Sequence, residues 1–88
     1  MTVVFRKSFL RDLKKLKDPT VRARVRAVIE AVEAADALAD LPDVKKMSGS
    51  SGFYRVRLGA YRIGLAVDGD EVEFVRVLGR KDIYRYFP

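Results

Sequence analysis

Apolar and polar positions alternate with a period of two along residues 53–67, and this alternation predicts two β-strands joined by a turn at Gly59-Ala60. The apolar side of this hairpin consists of Tyr54, Val56, Leu58, Tyr61, Ile63, Leu65 and Val67. The other side consists of Arg55, Arg57, Arg62, Gly64 and Ala66. Three guanidinium groups therefore lie beside very small side chains, which predicts a positively charged surface with open space above it.

Upstream of the hairpin, apolar residues spaced by three and four positions predict two helices that form a helical hairpin. The first stripe consists of Phe9, Leu10, Leu13 and Leu16, and the second of Val21, Val25, Val28, Ile29 and Val32. Between them, Asp18 is a suitable N-cap, and Pro19 stands where proline is tolerated as the first helical residue.

The remaining segments complete the predicted fold. Residues 2–5 read as a short strand, and Asp68-Gly69-Asp70 marks a tight turn before a strand over residues 72–78. Residues 43–52 are rich in Lys, Ser and Gly and read as a mobile loop, while residues 79–88 carry no predicted element. We expect one α+β domain over residues 1–88: an N-terminal strand, a helical hairpin, and a three-stranded, mainly antiparallel meander that completes one sheet. The helices cover one face of that sheet and leave the other open.

Composition limits the available chemistry. The chain has 88 residues, with no cysteine and no histidine. Disulfides, thiolate chemistry, the usual zinc sites and the commonest general base are therefore excluded, and we expect no metal and no cofactor. Any catalysis must use Lys, Arg, Tyr, Asp or Glu.

Charge and hydropathy indicate the kind of partner. The net charge of +6 favours a polyanionic partner such as nucleic acid, a ribosome or an acidic protein. No apolar run is long enough to span a bilayer, and the N-terminus lacks the order of a signal peptide. We therefore expect a cytoplasmic protein without a membrane partner.

Three motifs, in this order and spacing, resemble a known family. They are Val44-Lys45-Lys46-Met47, then Gly59-Ala60-Tyr61-Arg62, then Leu78-Gly79-Arg80-Lys81-Asp82-Ile83-Tyr84-Arg85. Together they resemble the RelE/ParE superfamily of bacterial and archaeal type II toxins, and most closely its RelE-like branch.

This resemblance implies a RelE-like fold and a metal-independent endoribonuclease that cuts mRNA in the ribosomal A site and so inhibits translation. In that reaction the ribose 2′-OH attacks the adjacent phosphate, leaving a 2′,3′-cyclic phosphate and a 5′-OH. The implied partners are mRNA, the ribosome and a cognate RelB-like antitoxin, which forms a hetero-oligomer with the toxin.

The resemblance also implies site residues. The implied catalytic residues are Arg55, Arg57, Arg62, Lys81 and Tyr84, and the implied RNA-binding residues are Lys45, Lys46, Arg80 and Arg85. Arg62 is expected to stabilise the transition state, because a planar guanidinium can hold two phosphate oxygens at once. Lys81 is the expected acid, since nearby cations make an ammonium group a better proton donor.

Some assignments stay open. Arg55 and Arg57 replace a pair that is often lysine in the family, and arginine does not serve readily as a base. The base is therefore unassigned, with Tyr84 as a substitute and Tyr86 as an alternative tyrosine for the same role. Two other functions also stay open: a ParE-like toxin that acts on DNA gyrase, and an inactive module that only binds RNA.

Overall fold

The computed structural model describes residues 1–47 and 51–88. Its strands are β1 (Thr2–Phe5), β2 (Val44–Lys46), β3 (Phe53–Leu58), β4 (Tyr61–Asp68) and β5 (Glu71–Gly79). Its α-helices are α1 (Lys7–Lys15), α2 (Pro19–Ala34) and α3 (Arg80–Tyr86), and a short 3₁₀ helix covers Leu38–Asp40. Within these described ranges, no helix is long and apolar enough to cross a membrane.

The strands form one sheet in the order β1-β5-β4-β3-β2. β1 runs parallel to β5, and every other neighbouring pair is antiparallel. The two tight turns of the β3-β4-β5 meander each contain a glycine at a φ of 60°, Gly59 and Gly69, a backbone conformation that other residues rarely adopt. The predicted α+β fold with an antiparallel meander is confirmed.

The helical hairpin covers the first face of the sheet. The predicted cap of α2 is confirmed, because the Asp18 carboxylate accepts the amide hydrogen of Thr20 at 2.9 Å. The predicted parity of the hairpin strands is confirmed as well, since their apolar side chains join the buried core under the helices. Leu10 is an exception to the predicted stripe, because it is half exposed.

Helix α1 also lies along one edge of β5. Because β1 pairs with β5 only as far as Phe74, the next residues of β5 need other partners. The Ser8 hydroxyl donates to the Val75 carbonyl at 2.6 Å, and the Asp12 carboxylate accepts the amide hydrogen of Val77 at 3.1 Å. Helix α1 thus supplies hydrogen-bond partners to the backbone groups of β5 that the short β1 leaves unpaired.

The prediction of a loop over residues 43–52 is wrong for the first part of that range. Val44–Lys46 forms β2, which pairs with β3 and adds a fifth strand to the sheet. Lysine is a weak strand former, so this segment depends on pairing with a neighbour that local sequence does not reveal. Residues 48–50 of the expected loop lie outside the described residues.

The second face of the sheet is not fully open as predicted. Helix α3, which the pattern did not predict, covers its apolar part together with Phe87. The pairing of β4 with β5 shifts register between Gly64 and Leu65. Because of this shift, Val75 points to the second face and packs under α3. The other buried residues of β5 point to the first face, under α1 and α2: Val72, Phe74 and Val77. The second face is therefore divided into an apolar part under α3 and a cationic part that stays exposed.

Candidate functional site

An open cleft of about 180 Å³ lies on the exposed part of the second face. Five of the residues implied by the sequence line it: Lys45, Arg55, Arg57, Arg62 and Tyr84. Pro42 and Asp43 complete the lining. The structure therefore brings together, from β2, β3, β4 and α3, residues that are up to 39 positions apart in the chain.

Strand register explains why the cations converge. Arg55 and Arg57 are two positions apart on β3 and so point to the same face. Lys45 lies opposite Arg55 on β2, and Arg62 lies opposite Arg57 on β4. Opposed side chains in a sheet share a face, so four positive groups occupy neighbouring positions. Like charges at this spacing repel each other, and an anion between them would relieve that repulsion.

Tyr84 closes one side of the cleft. Its hydroxyl accepts a hydrogen bond from Nη1 of Arg55, and the Arg55 guanidinium carbon lies 5.2 Å from the centre of the tyrosine ring. The Tyr84 side chain is otherwise 57% exposed. Its ring is therefore held at the cleft by Arg55 while remaining accessible to a ligand.

Arg62 is anchored at one end of its guanidinium. Nη1 donates to the carbonyl oxygens of Gly59 at 2.6 Å and Tyr61 at 2.7 Å. Among the described residues, the hydrogen bonds of this side chain use Nη1 alone. The remaining donors of Arg62 are thus available to a group in the cleft, with the side chain already oriented.

Asp43 is the charged cleft residue that sequence reasoning missed. Its carbonyl oxygen accepts the amide hydrogen of Arg57 at 3.0 Å, and its carboxylate lies 3.5 Å from Nη2 of the same arginine. Both side chains are more than half exposed, so this ion pair contributes little to stability. The pairing of β2 with β3 brings Asp43 to the cleft, and nothing in its own sequence neighbourhood indicates that position.

Four implied residues do not line the cleft. Lys46 lies opposite Tyr54 and so faces the helix side of the sheet. Arg80, Lys81 and Arg85 are exposed on α3. Lys81 precedes Tyr84 by three positions, which places the two residues on the same side of that helix.

The two C-terminal tyrosines lie in different places. Tyr84 lines the cleft, whereas the ring of Tyr86 lies 5.7 Å from the guanidinium carbon of Arg76. Arg76, whose orientation the sequence left open, is bound to Asp12 of α1 through two hydrogen bonds of 2.7 and 3.0 Å. Tyr86 and Arg76 therefore belong to a contact outside the cleft.

The chain matches a family model. Residues 3–84 match the model described as ParE toxin of type II toxin-antitoxin system, parDE. Among curated proteins, the chain is 46% identical over 89 residues to Toxin RelE3 of Methanocaldococcus jannaschii, and this alignment covers both chains completely. It is also 30% identical over 81 residues to Putative toxin RelE1 of the same organism, over 91% of this chain and 89% of that protein.

Solved structures give the same picture. A RelB-RelE antitoxin-toxin complex from Methanococcus jannaschii matches with a TM-score of 0.82 and 42% identity, over 97% of this chain and 99% of the matched chain. The RelBE2 toxin-antitoxin complex from Mycobacterium tuberculosis matches with a TM-score of 0.60 and 28% identity, over 90% and 96% of the two chains.

Proposed function

Because the chain belongs to the RelE/ParE superfamily of type II toxins and is RelE-like, we propose that it is a metal-independent endoribonuclease that cuts mRNA in the ribosomal A site. The observation that carries this proposal is the convergence of Lys45, Arg55, Arg57, Arg62 and Tyr84 on one open cleft. A phosphodiester is the anion that suits such a surface, and mRNA supplies it together with a ribose 2′-OH.

The proposed reaction is a transfer within the RNA itself. The 2′-oxygen forms a bond to the adjacent phosphorus, and the bond from that phosphorus to the 5′-oxygen breaks. The proton of the 2′-OH goes to a base, and the 5′-oxygen receives a proton from an acid. The products are a 2′,3′-cyclic phosphate and a 5′-OH, so translation stops because its message is cut.

The cations of the cleft are proposed to stabilise the charge that develops on the phosphate. Arg62 is the main stabiliser, because its side chain is already oriented by Gly59 and Tyr61 and keeps donors for nonbridging oxygens. Arg55 and Arg57 flank it on β3 and hold the scissile and neighbouring phosphates.

Proton transfer is proposed to use groups in and beside the cleft. Arginine keeps its proton, so Asp43 is our proposed base, with its carboxylate beside the cations that bind the phosphate. Tyr84, held by Arg55, orients the nucleophile or stacks on a base. Lys81 is the proposed acid, because it lies on the same side of α3 as Tyr84.

The surrounding cations are proposed to extend the RNA-binding surface. Lys45 lies in the cleft, and Lys46, Arg80 and Arg85 lie outside it. Contacts of this kind position the RNA backbone and weaken as salt rises. We also propose that the protein works in the cytoplasm, where it meets translating ribosomes.

An antitoxin is the proposed regulator. Two of the matching structures contain RelB-RelE and RelBE2 toxin-antitoxin complexes. For this chain we propose a RelB-like antitoxin that forms a hetero-oligomer with it. An acidic segment across the cationic cleft would occupy the charges that RNA needs and so block cutting.

Primer extension on mRNA from translating ribosomes tests the proposal. Purified protein should produce cuts in phase with the codons, in the presence of EDTA, and no cuts in free mRNA. Arg62→Ala should abolish the cuts, and Asp43→Asn and Tyr84→Phe should reduce them. Arg26→Ala, which removes the same charge from an exposed position of α2, is the matched control and should cut like the wild type.

Two further measurements, of DNA supercoiling and of RNA retention, separate the alternatives. The description of the matching family model names a ParE toxin. An activity directed at DNA gyrase is therefore the second candidate function. A folded wild type that leaves mRNA intact but changes DNA supercoiling would contradict the ribonuclease proposal in favour of a ParE-like toxin. Salt-dependent retention of uncut RNA would instead favour an RNA-binding module.

A further inference from the structure

We propose that Phe87 and the Arg76–Tyr86 contact are positioning elements for Tyr84, because they fix helix α3 on the sheet and thereby hold Tyr84 at the cleft. This inference rests on the proposed function for its catalytic consequence, since it concerns a residue of the same cleft. Its structural part, the placement of Tyr84 against Arg55, is measurable without any cutting.

Helix α3 needs outside support to hold one position. It has seven residues, and a helix of two turns is not stable in water by itself. Each residue advances an α-helix by about 100°, so a rotation by one residue would turn Tyr84 away from Arg55. The position of Tyr84 therefore depends on what binds α3 to the sheet.

The first anchor is a close fit between Phe87 and Gly64. A Cβ atom placed on Gly64 would lie 2.7, 2.7 and 2.8 Å from three atoms of the Phe87 ring, so the ring occupies the space that any other residue would fill. Phe53 meets the ring edge-on at a centroid distance of 5.7 Å, and Phe87 is only 3% exposed. The expected room above the small residues of β4 is thus filled by Phe87.

The same anchor includes the preceding turn of the helix. Ile83 is fully buried, and its carbonyl oxygen accepts the amide hydrogen of Phe87 at 2.9 Å. Ile83 and Phe87 belong to one apolar cluster with Val75. Tyr84 directly follows Ile83, so the buried side of the helix determines the direction in which Tyr84 points.

The second anchor is a charged contact at the end of α3. The guanidinium of Arg76 lies 5.7 Å from the ring centre of Tyr86, and two hydrogen bonds fix that guanidinium to the buried Asp12. The hydrogen bonding that Arg76 donates to Asp12 raises the pKa of Arg76, so this cation keeps its charge beside Tyr86. Tyr86 and Phe87, at consecutive positions, thus bind the same end of the helix through two separate contacts.

Fluorotyrosine NMR combined with single-turnover cleavage tests the inference. The chain has four tyrosines, and Tyr84→Phe assigns the resonance of Tyr84. Phe87→Ala should shift and broaden that resonance and should lower the maximal cleavage rate about ten- to a hundredfold, as expected for a misplaced group, with little change in the half-saturating ribosome concentration. Phe87→Leu, which keeps part of the apolar contact, should give the same changes to a smaller extent.

Val32→Ala is the matched control. Val32 is a fully buried residue of α2 in the main core, away from α3, so its truncation also leaves a cavity. At temperatures where both variants are folded, Val32→Ala should keep the wild-type resonance and the wild-type rate. An equal rate loss in both variants would show a general effect of stability and would overturn the inference.

The remaining outcomes are also decisive. A wild-type Tyr84 resonance and rate in Phe87→Ala and Phe87→Leu would overturn the inference while leaving the proposed ribonuclease intact. A folded wild type that does not cut at all would contradict the proposed function. In that case the Tyr84 resonance alone would still show whether Phe87 holds the tyrosine in place.

Discussion

Replacing Gly64 with alanine tests the close fit under Phe87 by adding a single methyl group. Gly64 does not have a positive φ, so alanine meets no backbone strain there. The new Cβ atom would lie 2.7–2.8 Å from three atoms of the Phe87 ring, well inside van der Waals contact. Because a phenyl ring is rigid, the ring or the strand must move.

The expected magnitude is the balance of two effects. Overpacking a filled site costs about 1–3 kcal/mol. Alanine also reduces the entropy of the unfolded chain and so returns about 0.4–1 kcal/mol. We therefore expect Gly64→Ala to lower the free energy of unfolding by about 1 kcal/mol, within limits of about 0 and 2.6 kcal/mol, measured by urea denaturation.

A double-mutant cycle with Phe87→Ala isolates the contact. That change removes all the ring atoms that the new methyl group would meet, so Gly64→Ala should then be neutral or slightly stabilising. Because Phe87 belongs to the small apolar cluster under α3 and not to the main core under α1 and α2, we expect its truncation to loosen α3 and leave the sheet folded. An equal destabilisation by Gly64→Ala in both backgrounds would refute the reasoning.

Other contacts give further expected outcomes. Asp18→Ala removes the cap of α2 and should lower the free energy of unfolding by about 1 kcal/mol in urea, whereas Asp18→Asn should stay close to the wild type. Asp12→Ala leaves the partly exposed Arg76 without its partner and should cost about 2–3 kcal/mol, seen as a lower thermal midpoint; a cost below about 1 kcal/mol would contradict the pairing. Because Asp12 raises the pKa of Arg76, this stabilisation is complete below the ordinary arginine pKa and is lost only as pH rises through the raised value. The Arg76 contribution should therefore be the same at about pH 6 and about pH 9, and unequal contributions would be inconsistent with it. Acetylation of the Met1 ammonium, which donates to two carbonyl oxygens at the end of α2 at 2.9 and 3.0 Å, should lower stability by about 0.3–1 kcal/mol in the same urea assay.

The features that sequence predicted are those encoded by local pattern. Alternation in β3 and β4 placed Arg55, Arg57 and Arg62 on one face because the strand period is two and both strands are regular there. The cap at Asp18 was predictable because its chemistry involves residues two and three positions away.

The features that sequence missed depend on contacts between distant segments. Helix α3 is short, and its place on the sheet depends on the space above Gly64, which no local pattern reveals. Val75 departs from simple alternation because the pairing of β4 with β5 shifts register at that point.

One residue of the candidate site could not be predicted for the same reason, because a contact between distant segments places it there. Asp43 precedes β2, a strand of three residues that exists through its pairing with β3. The family resemblance indicated the cations and Tyr84, but the carboxylate of Asp43 among them became visible only when β2 was placed beside β3.

The measurement that tests the central claim most directly uses ribosomes programmed with a synthetic mRNA that carries a single 2′-deoxy nucleotide at the predicted cut. With the all-ribose message in EDTA, the protein should leave a 2′,3′-cyclic phosphate and a 5′-OH, and Arg62→Ala should leave the message intact. The single 2′-deoxy substitution should abolish cutting at that position, because the attacking oxygen is absent. Cutting of the deoxy-substituted message at the same bond and the same rate would contradict the account.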